Sequence, residues 1–134
     1  KNMKKDDTIK ITKCKKQIIF FKTKGGIFVS VTIKQKKNIM TAYIKGEIDH
    51  HTVPTIRDTI DDAFVCAENI TVLVLDFSDV TFMDSSGIGL VMGRYRNLAR
   101  RGAKLHISGA SPQIYKVMKL AGLERLATLD LCTK

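Results

Sequence analysis

Asp84-Ser85-Ser86-Gly87 stands where an apolar run ends and an amphipathic segment begins. Two adjacent hydroxyls at such a junction allow two chemistries. One hydroxyl can cap the helix by accepting from a free backbone N–H. A hydroxyl on that loop can also accept a phosphoryl group, which would lie at the positive end of the helix dipole. Capping needs one hydroxyl only, and the residue types leave both uses open. The glycines that follow come near three catalytic patterns and meet none. A dinucleotide fingerprint starting at Gly87-Ile88-Gly89 needs glycine where Met92 stands, and a phosphate-binding loop needs Lys-Ser/Thr where Arg94-Tyr95 stands. A hydrolase elbow needs glycine two before the serine, where Met83 or Asp84 stands.

Other polar clusters read as structural. His50-His51 lies in a helix-entry loop and His106 in a strand, without metal-ligand spacing. Asp49, Asp76, Asp79 and Asp84 are read as loop-capping residues rather than a magnesium pocket. No cofactor and no metal is expected. Gly89 and Gly93, four apart, are expected to admit a second backbone closely. On the helical wheel Leu90 falls opposite the apolar face, in a stripe with Arg94, Asn97 and Arg101. It is expected to be an exposed docking residue.

The elements that must position these groups follow from periodicity. Val29–Lys34 and Ile39–Lys45 alternate as strands around a turn at Gln35–Asn38. Thr52 is placed as an N-cap before Pro54, and Ile56, Ile60, Ala63, Phe64 and Ala67 share one helical face. Ile70–Phe77 reads as a central strand buried on both faces, followed by a loop through Asp79 and Asp84. Ile88, Val91, Met92, Tyr95, Leu98 and Ala99 form the next helical face, closed by Gly102. Ala103–Ser108 is a strand, Ser111-Pro112 starts a helix with Ile114, Val117, Met118 and Ala121 buried, and Gly122 closes it. Ala127–Cys132 is expected as an edge strand. The order β-β-α-β-α-β-α-β predicts an α/β domain with a mixed sheet, and such folds place function at the carboxyl ends of parallel strands.

The 134 residues suit one domain, and 44% apolar content excludes wholesale disorder. No run is long enough to span a bilayer, no secretory leader is recognisable, and the three cysteines form no pair motif, so a cytoplasmic place is expected. The net charge is +10, yet residues 1–28 alone contribute +7 and the remainder only +3. Neither nucleic acid nor membrane is therefore expected as a partner, and a monomer is. Residues 1–28 are read as a non-domain N-terminal extension, disordered or a translated leader, and 29–134 as the domain. Lys24-Gly25-Gly26 can be encoded by a ribosome-binding sequence, with Val29 at the spacing of a GTG start.

The run Asp76-Phe77-Ser78-Asp79-Val80-Thr81-Phe82-Met83-Asp84-Ser85-Ser86-Gly87-Ile88-Gly89 resembles the signature of STAS-domain anti-sigma factor antagonists. The similarity extends through Gly93-Arg94-Tyr95, Ser111-Pro112 and Ala121-Gly122-Leu123, covering roughly Val31 to Leu131. Gly46-Glu47-Ile48-Asp49-His50-His51-Thr52 is similar to a segment of the family's sporulation branch, the antagonists of anti-sigma F. The resemblance implies a STAS-type mixed β-sheet with helices packed against it. It also implies a function: the unphosphorylated form binds an anti-sigma factor that is also a serine kinase, which frees the sigma factor. The kinase then phosphorylates the antagonist, and a serine phosphatase resets it. Ser85 takes the acceptor position, and Asp49 matches a residue implicated in kinase contact. The partner-facing set is expected to be Asp49, Asp84, Ser86, Gly87, Leu90 and Arg94. A stress-response antagonist is the alternative within the family, and a nucleotide-dependent enzyme the alternative outside it.

Overall fold

The computed structural model describes residues 9–13, 16–22 and 28–131. Seven strands form one sheet in chain order: β1 (Ile9–Lys13), β2 (Lys16–Lys22), β3 (Phe28–Lys36), β4 (Ile39–Ile48), β5 (Val72–Met83), β6 (Lys104–Ala110) and β7 (Thr128–Leu131). β1 to β4 are antiparallel neighbours, and β4 to β7 are parallel. Each parallel crossover carries a helix: α1 (Val53–Cys66), α2 (Ser85–Arg100) and α3 (Pro112–Leu120), the last followed by a short 3-10 turn. The mixed sheet with packed helices is the architecture expected from the sequence.

The side chains explain which face is covered. Val29, Val31, Ile33, Met40, Ala42, Ile44, Leu73, Leu75, Phe77, Leu105 and Ile107 are all buried, while the residues alternating with them are half-buried or exposed. The period of two puts every buried member on one face. α1 packs on β3 and β4, α2 on β5 and β6, and α3 on β6 and β7. The Ile70–Phe77 run is therefore covered on one side only, and the expectation of a strand buried on both faces is corrected. Val72, Val74 and Asp76 alternate onto the helix-free side and are half-buried.

Two further expectations are revised. β5 does not stop at Phe77 but continues to Met83, pairing Lys45 with Asp79, Gly46 with Val80 and Ile48 with Met83. Register shifts after Tyr43 and Gly46 let the strand run on past its alternating stretch, which is why it reads as a loop in the sequence. Residues 1–28 were expected outside the domain. The structure instead adds β1 and β2 to the edge of β3, with Ile19 in the core. An unpaired β3 edge would leave a row of free N–H and C=O groups, and Ile18-Ile19-Phe20-Phe21 has the residue types that pair well there.

The turn between β3 and β4 falls at Lys37, with φ +57°, and Asn38. Ser111 caps α3 by accepting from Ile114 N–H at 3.2 Å, as its sequence context predicted. Gly102 and Gly122 follow their helices with φ of +72° and +83°, matching the expected stop signals. Gly46 has a stronger requirement. Its φ is +113°, and a Cβ placed there would lie 2.6 Å from the Phe28 carbonyl oxygen. Gly46→Ala is expected to lower stability by more than about 1–3 kcal/mol, combining backbone strain with that collision. A melting temperature within a degree of the parent's would contradict this.

Candidate phosphoacceptor edge

β4 and β5 run parallel and end side by side at Ile48 and Met83. Asp49 and Asp84 are the next residue of each strand, so the two candidate loops emerge together. Asp84 N–H donates to the Ile48 carbonyl at 3.1 Å and ties them at their base.

The Asp49 loop is held by short-range bonds. The Asp49 carboxylate accepts from His51 N–H at 2.8 Å and from Thr52 N–H at 3.0 Å. The Asp49 N–H in turn donates to the Thr52 hydroxyl at 2.9 Å, and that hydroxyl donates to the Glu47 carbonyl at 2.9 Å. Thr52 precedes α1 as expected but is not its side-chain cap. It is fully buried and serves as the knot of the loop.

On the second loop the cap is Asp84, not a serine. Its carboxylate accepts from Ser86 N–H at 2.8 Å, and its carbonyl accepts from Gly87 N–H at 3.0 Å. With the capping position filled by Asp84, the Ser85 hydroxyl has no duty as the N-cap. Ser85 is the first residue of α2 and is exposed, whereas Ser86 is half-buried. Gly87 is buried, and a Cβ there would run into the Met83 side chain and sit 3.3 Å from Ile48 Cγ2. Glycine is what lets the start of α2 settle onto the ends of β4 and β5.

Asp49, Asp84, Ser85, Ser86 and Gly87 are thus brought to one sheet edge. Leu90 and Arg94 are not. Leu90 is 2% exposed and belongs to the core, and Arg94 is 6% exposed. The expected apolar face of α2 is rotated: Ala99 is exposed and Tyr95 half-buried, while Leu90, Val91, Arg94 and Leu98 face inward. Nor do Gly89 and Gly93 admit a second backbone, since a Cβ at either position would meet nothing within 4 Å.

Inward-facing Arg94 meets Asp61 on α1, a residue that no local sequence pattern marks. Arg94 Nε lies 2.8 Å from Asp61 Oδ1, an ionic contact in which the N–H is not aligned as a hydrogen bond. Arg94 Nη1 donates to the Leu90 carbonyl at 3.4 Å, and Asn97 Nδ2 donates to Asp61 Oδ1 at 3.4 Å. An arginine on a helix wheel looks like surface, so only the carboxylate one residue after buried Ile60 hints at the pair. Burial raises the Asp61 pKa, against the opposing pull of Arg94, and burial likewise lowers that of Arg94. Removing Asp61 would leave an interior guanidinium without its counter-charge. Asp61→Ala is expected to destabilise by about 1–3 kcal/mol, seen as a lower denaturation midpoint with unchanged slope. An unchanged midpoint would show that the pair is dispensable.

Asp76 and Asp79 do not join the edge cluster as metal ligands. Asp76 accepts from Ser78 N–H at 2.9 Å and from the Ser108 hydroxyl at 3.4 Å, and Asp79 is exposed. Among the described residues, no three His, Cys, Asp or Glu side chains are grouped as a metal site.

A STAS-domain family model matches residues 30–132, which span the sheet from β3 onward and all three helices. The chain belongs to the STAS-domain family. Curated relatives include the anti-sigma F factor antagonist of Paenibacillus polymyxa, 26% identical over 98 residues that cover 73% of this chain and 83% of that protein. The anti-sigma-B factor antagonist of Listeria monocytogenes is 29% identical over 96 residues, covering 71% and 82%. Among solved structures, the unphosphorylated form of the anti-sigma factor antagonist SpoIIAA superposes with a TM-score of 0.64 at 31% identity, covering 74% of this chain and 86% of that one. The phosphorylated form of the Bacillus cell-fate determinant SpoIIAA gives 0.60 at 31% identity, covering 74% and 89%.

Proposed function

We propose that this STAS domain is an anti-sigma factor antagonist switched by phosphorylation of Ser85. Its unphosphorylated form binds an anti-sigma factor that is also a serine kinase, and the sigma factor is released. The kinase transfers a phosphoryl group from ATP to the Ser85 hydroxyl, the complex dissociates, and a serine phosphatase restores the free hydroxyl. The protein acts in the cytoplasm as a binding module, without catalysis of its own. The observation that carries this reading is exposed Ser85, left free of the N-cap role because Asp84 fills it, on a loop tied at its base to the one that carries Asp49. The relatives named above, antagonists of both anti-sigma F and anti-sigma-B, agree with it. Gly46-Glu47-Ile48-Asp49-His50-His51-Thr52 favours the sporulation factor sigma F.

Ser86 differs from Ser85 in a way that predicts the label. Its amide is engaged by Asp84 and its side chain is half-buried, so a kinase reaches Ser85 first. Incubation with an anti-sigma kinase and ATP, followed by phosphopeptide mapping, is expected to place phosphate on Ser85 and to leave Ser86 unlabelled. Phosphate on Ser86 with none on Ser85 would refute the assignment.

A further inference from the structure

With Leu90 buried, the apolar grip of a partner on this edge must come from elsewhere. Phe82 is a large hydrophobic side chain left 48% exposed, three residues before Ser85. Three extended residues span at most about 10 Å, whereas a standard interface of about 800 Å² per partner has a radius of about 16 Å. A partner footprint of that size centred on the Ser85 hydroxyl therefore extends as far as Phe82.

The direction of the side chain follows from its neighbour. Met83 packs toward α2, where it fills the space a Gly87 Cβ would need. On an extended strand the preceding residue points to the other face, which carries no helix. There Phe82 is paired in register with Glu47, two residues before Asp49. Phe28, 66% exposed, lies on the far side of β4, its carbonyl oxygen against Gly46. The corner thus presents an aromatic ring beside the Glu47–Asp49 segment and continuous with the phosphoacceptor edge. Phenylalanine is among the aromatic residues enriched in the cores of protein interfaces.

We propose that Phe82 is the apolar anchor by which the chain docks on its serine kinase, inserting into an apolar pocket beside the kinase active site. The inference rests on the phosphorylation reading above. Phe82 binds and does not react, so its loss raises KM for this chain as a substrate and spares kcat.

The test measures phosphorylation kinetics of the full chain with a purified anti-sigma kinase and ATP. Phe82→Ala and Phe82→Gln are each expected to raise KM about tenfold, with kcat within twofold and the melting temperature within about two degrees of the parent's. Phe82→Tyr is expected to restore KM to within about threefold. Val65→Ala removes another exposed apolar side chain, at the opposite end of α1, and is expected to leave KM unchanged. If the parent chain is labelled at Ser85 and neither Phe82→Ala nor Phe82→Gln changes KM, the anchor is wrong while the function stands. A fall in kcat at constant KM would also overturn it. If the parent chain takes no label at Ser85, the functional reading itself fails, and the anchor with it.

Discussion

Ser85→Asp is expected to weaken binding to the anti-sigma kinase at least about a hundredfold while leaving the fold intact, and Ser85→Ala to bind and stay bound in the presence of ATP. The reasoning begins with where the charge falls. A phosphoserine adds about −1.5 to −2 charge, and an aspartate −1. At the first residue of α2 the helix dipole favours that charge by about 0.3–1 kcal/mol, and the neighbouring Asp84 carboxylate opposes it. The two effects nearly offset, so the cost is not borne by folding. Across the interface nothing offsets it. In the proposed complex a kinase active site would hold ATP phosphates against this edge, where Asp84 precedes Ser85 and the Asp49 loop is tied alongside through Ile48. Like-charge juxtaposition there costs several kcal/mol, and each 1.4 kcal/mol is about tenfold in affinity. Titration calorimetry should therefore give a Kd for Ser85→Asp at least about a hundredfold above the parent's. Equal affinities would remove the electrostatic basis of the switch.

Leu90→Ala is expected to lower stability by about 2–5 kcal/mol, the range for emptying a buried leucine site. Leu90 is 2% exposed and shares the inner face of α2 with Val91 and Leu98. Its neighbours are held by the sheet below and by the Arg94–Asp61 contact beside it, so the site has little room to collapse. A loss below about 1 kcal/mol, measured by urea denaturation, would place Leu90 on the surface after all. The same variant would then be informative about docking. As the structure stands, any loss of kinase binding by Leu90→Ala reflects a damaged helix rather than a removed contact.

These two residues mark what a sequence of this kind discloses. The expectation placed on Ser85 rests on local context: an apolar run, an Asp, two hydroxyls and a glycine within a few residues. The strand order and the three helices were legible for the same reason, since alternation and 3.6-residue spacing persist over whole elements. Leu90 is misplaced because the inward face of α2 includes Arg94, which residue type alone assigns to the surface. Arg94 turns inward to meet Asp61, 33 residues earlier in the chain, and no local pattern carries that pairing. β5 was cut short at Phe77 because the register shifts against β4 interrupt its alternation, and the Asp79–Met83 stretch then looks like loop. Phe82 was hidden by the same error. The place of β1 and β2 was missed because a lysine-rich, irregular segment shows its role only once a strand edge exists for it to pair with.

The bond network of the Asp49 loop has a kinetic consequence. A surface loop ordinarily loses conformational freedom when a partner immobilises it, and that loss is subtracted from affinity. Here the Thr52 hydroxyl, the Asp49 carboxylate and the Asp84 amide already fix the backbone on both sides of the Ser85 edge. The edge arrives at its partner preorganised, with little entropy left to lose. Encounter can proceed as near-rigid docking with no slow ordering step, and single-phase association traces are its signature.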